Sequence, residues 1–175
     1  MTRLLTDSLC TNCGLCCDGT LFADVELAGQ DELARLEILG MDVENEGKNL
    51  GLLSQPCAAL RGTRCGIYAH RPKCCRVFEC RLLQDTQRGE IPFEEALHEV
   101  ASVHEQIRGV RDLLGRLGNR DEDLPIKERC AETLSAADRA APDKTKDLAD
   151  LDAAMTTLED TIWNKFLGSG KKRQR

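Results

Sequence analysis

The sequence predicts a mainly α protein, in which a small, irregular, metal-organised α+β segment rich in cysteine packs with a C-terminal antiparallel helical bundle. Three observations lead there. Nine of the ten cysteines lie between Cys10 and Cys80. Aromatic residues make up 3% of the chain, and only Phe22, Tyr68 and Phe78 fall in its N-terminal half, so large rings cannot fill a core there. From about Ile91 onward, apolar residues recur at helical spacing. The 175 residues accordingly divide into a cysteine-cluster metal-binding domain over 1–90, a helical part over 91–168 and a disordered basic tail over 169–175.

The elements follow in chain order. LFADVEL (Leu21 to Leu27) reads as a short strand. Gln30 to Leu39 reads as a helix with Leu33, Leu36 and Leu39 on one side and Gly40 as its stop. ENEGKN is polar and reads as a loop. LGLLSQPCAAL and RGTRCGIY suggest two short strands around a turn at Arg61-Gly62, with Pro56 and Pro72 opposing longer elements. A helix is then expected from about Phe93 to Leu117, striped by Leu97, Val100, His104, Ile107, Val110 and Leu114 and ended by Gly118-Asn119. A second begins near Pro125, a residue suited to a first turn, and carries Ile126, Cys130, Leu134 and Ala137 on one face. A third follows Pro142 and aligns Leu148, Leu151, Met155, Leu158, Ile162 and Phe166. Short loops between amphipathic helices suggest the bundle, with the stripes as its core. Cys130 is read as a small buried apolar residue and His104 as a core or interface histidine. A protein partner would meet the helical part.

Charged residues at 31% and apolar residues at 41% fit a soluble globular chain. The opening MTRLLTDSLCTNC lacks an apolar run long enough for a signal peptide, and no segment approaches a membrane span. The expected location is the cytoplasm, with no membrane partner. In that reducing setting, clustered cysteines more often bind metal or perform redox chemistry than form disulfides. The net charge of −6 gives no global case for nucleic acid. Charge is uneven, however. Arg61, Arg64, Arg71, Lys73, Arg76, Arg81 and Arg88 face only Glu79 and Asp85 in their stretch, a local net charge of +5 that coincides with the second cysteine group.

The cysteines run as Cys10-x2-Cys13-x2-Cys16-Cys17, then Cys57, Cys65, the pair Cys74-Cys75, Cys80 and Cys130. Two thiolates on one tetrahedral metal lie about 3.8 Å apart, given metal–sulfur bonds of about 2.3 Å. A tight turn over two intervening residues reaches that spacing, and Gly14 permits such a turn. The first three cysteines are spaced as in a bacterial ferredoxin cluster run, although Cys17 follows at once where that run has a longer gap. Neighbouring side chains point opposite ways in extended chain, so Cys16 and Cys17 suit two metals, or one of them is spare.

CTNCGLCC, PCAAL and RCGIYAHRPKCCRVFEC together resemble the YkgJ-type cysteine-cluster proteins, the zinc- or iron-chelating CxxCxxCC domain. The positions in register are Cys10, Cys13, Gly14, Cys16, Cys17, Cys57, Cys65, Ile67, Tyr68, Arg71, Pro72, Cys75, Arg76, Phe78 and Cys80. Cys74 falls on a variable position and Cys130 lies outside the pattern. The resemblance implies that Cys10, Cys13, Cys16, Cys17, Cys57, Cys65, Cys75 and Cys80 hold Zn2+ or Fe, the latter also as an iron–sulfur cluster. Such a set allows two four-thiolate sites, a shared two-metal cluster, or one iron–sulfur cluster with extra thiols. Closed four-thiolate shells leave no position for a substrate. The leading expectation is therefore a structural or chelating metal-binding protein with no catalysis of its own and no assigned catalytic residue. The alternative is an iron–sulfur enzyme or redox component related to protein lysine methylation, since a similar domain occurs in flagellin lysine N-methylases. No glycine-rich turn after a strand provides for S-adenosylmethionine. Arg71 and Arg76 are expected to offset thiolate charge, and Tyr68 and Phe78 to pack over the sulfurs. His70 is expected on an exposed loop. The first and second cysteine groups must meet in space for either to hold metal properly.

Overall fold

The computed structural model describes residues 2–47, 50–136 and 144–168. The chain forms two compact units, one of Cys10–Phe78 with Glu122–Pro125, the other of Met1–Leu9, Glu79–Asp121 and Ile126–Arg175. The first element is a helix, α1 (Thr2–Cys13), where the cysteine spacing suggests only a tight turn. A spacing of three residues is also one helical turn, so Cys10 and Cys13 sit on one helix face. Gly14, at φ +71°, then takes the chain out of the helix.

In the cysteine-rich unit, β1 (Asp24–Ala28), β2 (Val43–Gly47) and β3 (Leu50–Ser54) form an antiparallel sheet in the order β1-β3-β2. The strand expected at Leu21–Leu27 is thus β1, shifted by a few residues. The polar ENEG stretch is not a loop but belongs to strand β2, because β3 offers it a ladder that its own composition does not advertise. Lys48 and Asn49 lie outside the described residues. The helix expected at Gln30 is α2 (Gln30–Ile38). It buries Leu33 and Leu36, whereas Leu39 falls at the helix end and is exposed. Leu33 presses so closely on β3 that a Cβ at Gly51 would lie 2.7 Å from its Cδ1. Leu27, Leu33, Leu36, Leu53, Cys57 and Ala59 form the core, and Cys17 and Cys65 pack against it.

The turn expected at Arg61-Gly62 is there, but it joins β4 (Leu60–Arg61) to β5 (Arg64–Cys65) as a separate hairpin. LGLL, by contrast, belongs to the three-stranded sheet. After a 3-10 turn at Tyr68–His70 comes the short helix α3 (Lys73–Val77), which carries Cys74 and Cys75. Pro72 precedes it and limits the earlier segment without preventing the helix.

The helical unit contains α4 (Arg81–Gln87), α5 (Phe93–Leu117), α6 (Ile126–Ser135) and α7 (Thr145–Ile162), the last continued by a π-helical turn at Trp163–Leu167. The protein is therefore mainly α, as its periodicity predicts. Val100, Ile107, Val110 and Leu114 of α5 are buried, joined by Ala96, Val103 and Leu113; Leu97 and His104 are half-buried at the stripe's edge. Leu151, Met155, Leu158, Ile162 and Phe166 bury the facing stripe. Lys165 near one end of that helix pairs with Glu99 at 2.7 Å, and Arg116 pairs with Asp147 at 3.2 Å, so α5 and α7 run antiparallel. Cys130 is buried in α6 as expected, and burial pushes its thiol up to about 11. Ala137, Pro142 and the basic tail lie outside the described residues. No helix among the described residues is long and apolar enough to cross a membrane.

Candidate metal centre

The candidate site is assembled by backbone contacts between segments far apart in the chain. The amide of Cys17 donates to the Gly14 carbonyl at 2.8 Å, which shapes the turn after α1. Gly14 has no room for a side chain, since a Cβ would lie 3.0 Å from the Thr63 Cα. Beside it, the Thr63 hydroxyl donates to the Thr11 carbonyl at 2.7 Å. These two contacts seat the β4–β5 hairpin against the end of α1, and of the first cysteine group it is Cys17 that feels the charge of Cys65. Cys57 completes the junction by donating its amide to the Cys17 carbonyl at 2.8 Å. Its own carbonyl accepts from Leu60, and Ala59 accepts from Gly66, each at 2.8 Å. Cys65 stands opposite Leu60 in the hairpin ladder.

Cys75 is brought in by a buried carboxylate. Glu32, 8% exposed, accepts the Ala28 amide at the end of β1 and the Lys73 amide at the start of α3, both at 2.8 Å. This ties α3, and with it Cys74 and Cys75, to the β1–α2 corner. The thiols of Cys74 and Cys75 are hydrogen-bonded to each other.

Cys17, Cys57 and Cys75 each feel the charge of neighbouring sulfurs. Burial, then Cys57 and Cys65, push the Cys17 thiol up to about 12, while Arg71 draws it down. The Cys57 thiol is raised by burial and by Cys65. The Cys75 thiol is raised by its hydrogen bond with Cys74, by burial, and by Cys17 and Cys57. Among the described residues, no three His, Cys, Asp or Glu side chains converge closely enough to enclose an ion. The donor chemistry nevertheless fits a soft or borderline metal. Cys17, Cys57 and Cys65 lie against an apolar core, and a cation near Cys17, Cys57 and Cys75 would offset the burial and mutual charge that oppose their ionisation.

The other expected ligands stand as follows. Cys10 and Cys13 share the last turn of α1, Cys13 buried and Cys10 half-buried, and Cys16 lies in the turn after Gly14. Cys80 belongs to the helical unit, where it precedes α4, and burial raises its thiol. No disulfide joins any of the ten cysteines. Arg71 acts on Cys17 as expected, with its guanidinium 3.6 Å from the centre of the Tyr68 ring. Its Nε also donates to the Tyr68 carbonyl at 3.2 Å. Arg76 is exposed. Tyr68 therefore carries the arginine, whereas Phe78 is exposed and meets Phe22 edge-on at 5.0 Å. His70 is exposed as expected. Sequence reasoning missed Glu32 and Thr63. An acid in the first turn of α2 hints at the local half of the Glu32 contact, but nothing in the sequence links it to Lys73.

Residues 9–101 match the family model CxxCxxCC, described as a putative zinc- or iron-chelating domain. No curated protein and no solved structure matches the chain.

Proposed function

For a chain that belongs to this zinc- or iron-chelating family, we propose a metal-binding protein whose principal site is the four-thiol set Cys17, Cys57, Cys65 and Cys75. The observation that supports the reading is that Cys17 feels the charge of Cys57 and Cys65, and Cys75 that of Cys17 and Cys57, with the Cys57 amide donating to the Cys17 carbonyl beside them. Zinc or iron bound there supplies positive charge and a crosslink, and no reaction. Four thiolates fill a tetrahedral shell, so the role is structural or chelating. Arg71, held on Tyr68, offsets part of the thiolate charge. The family pattern offers further thiols at Cys10, Cys13, Cys16 and Cys80. Reduced thiols require a reducing compartment, and the cytoplasm is part of this reading.

Metal analysis of anaerobically purified chain tests the proposal. The expected product carries stoichiometric zinc or iron without acid-labile sulfide. Brown protein with acid-labile sulfide would replace it with the iron–sulfur reading. Cys17→Ala, Cys57→Ala, Cys65→Ala and Cys75→Ala should each weaken binding by more than the roughly 10–100-fold typical of losing an outer-shell partner. Full metal retention in any of them removes that residue from the set.

A further inference from the structure

Among the described residues, the large apolar side chains left exposed are Ile38, Leu39, Val77, Phe78 and Leu167. The first four belong to the cysteine-rich unit, and they fall into two patches of opposite charge. At the end of α2, Ile38 is 86% exposed and Leu39 follows it, with the exposed carboxylates Glu37 and Asp42 on either side in the chain. At the end of α3, Val77 is 66% exposed and Phe78 follows it, with the exposed cations Lys73 and Arg76 ahead of them. None of these four charged side chains has an ion-pair partner among the described residues. Arg35, one turn before Ile38, is already engaged by Glu32 at 3.5 Å. Phe78 is held in place from behind, because Phe22 meets its ring edge-on at 5.0 Å and its amide donates to the Cys74 carbonyl at 3.0 Å.

The two patches match each other, apolar side chain to apolar side chain and carboxylate to cation. We propose that they form a self-association surface, on which the α2 patch of one chain seats against the α3 patch of a second copy. A second copy presents both halves of the match, whereas a foreign partner would have to fit two patches of opposite sign. The patches are near enough to share one interface. Glu32 of α2 accepts the Lys73 amide of α3 at 2.8 Å. Ile38 lies about 9 Å along α2 from Glu32, and Val77 about 6 Å along α3 from Lys73. With the Glu32 side chain included, Ile38 and Val77 are at most roughly 25 Å apart. An interface burying about 800 Å² on each partner spans that distance. In a two-fold dimer the contact between an α2 patch and an α3 patch forms twice, so a substitution in either patch acts twice.

Sedimentation velocity on the whole 175-residue chain over a range of concentrations tests this. The 19.4 kDa chain should move toward twice its mass with a Kd below roughly 1 mM, and association should weaken as salt screens the flanking charges. Ile38→Ser and Val77→Ser, both at exposed sites, should each raise the Kd roughly tenfold or more. Glu37→Lys and Arg76→Glu should each weaken the dimer, and the chain carrying both should recover it, because the reversed charges again face opposite partners. A chain that stays monomeric at every concentration would overturn the proposal and leave the two patches to other proteins. So would a dimer whose Kd Ile38→Ser and Val77→Ser leave within about twofold of the parent, since it would use another surface. A double reversal no tighter than the single ones would overturn the pairing of the α2 patch with the α3 patch.

Discussion

Glu32 illustrates how a single side chain can govern a site it does not belong to. Its carboxylate is the partner of two backbone amides, Ala28 and Lys73, that lie far apart in the chain. Glu32→Ala removes the partner of both part-buried amides, which should cost about 0.5–1.5 kcal/mol for each bond lost. Glu32→Gln keeps an acceptor oxygen and should recover much of that stability. Urea denaturation separates the two variants, and zinc competition should show Glu32→Ala, but not Glu32→Gln, with clearly weakened binding. At this scale the cysteines were legible from spacing alone, because metal chemistry demands thiols at short intervals. Their division was not. Cys17 meets Cys57 and Cys75 only through tertiary contacts, and Glu32 looks from sequence like an ordinary first-turn acid of α2. Cys74, a variable position in the pattern, is distinguished only by the hydrogen bond to its neighbour.

Among the elements, α5 and α7 were legible almost to the residue, since their stripes repeat over many turns and each buries a continuous face. Leu158, fully buried on α7, is the sensitive point of that packing. Leu158→Ala should destabilise the protein by about 2–5 kcal/mol, and thermal unfolding measures it. The elements that escaped are those whose formation is not dictated locally. α1 contains a cysteine spacing that serves a turn as well as a helix. β2 is polar and becomes a strand by pairing with β3. α3 is five residues long, too short to be stable alone, and is held by the Glu32 bond at its first residue.

For the whole molecule, the two units derive their stability differently. The helical unit buries long leucine-rich faces, while the cysteine-rich unit has a small core of which Cys57 is itself a part. Metal bound by thiols can contribute on the order of 10 kcal/mol to a small domain. Chelation should therefore loosen the cysteine-rich unit first. Hydrogen exchange would show this as faster exchange in β1, β3 and α2 with α5 and α7 little changed; uniform protection after verified metal removal would refute a structural metal. The sign of the pH dependence follows from the thiols. Cys17, Cys57 and Cys75 are raised above their ordinary value, so without metal they stay protonated at neutral pH. Ligation must release those protons. Zinc affinity should accordingly fall as pH is lowered, by about tenfold per pH unit for each proton released, in competition titrations between mildly acidic and mildly alkaline buffer. The bond from the Cys57 amide to the Cys17 carbonyl has a last consequence, for the growing chain. Synthesis runs from the N-terminus, so Cys17 leaves the ribosome long before its partners. A nascent chain that stops short of Cys57 can offer an ion only the first cysteine group. With the four-thiol set proposed above, the centre would close only once Cys75 had emerged, so metal capture would be a late event and a stalled fragment a poor competitor for metal.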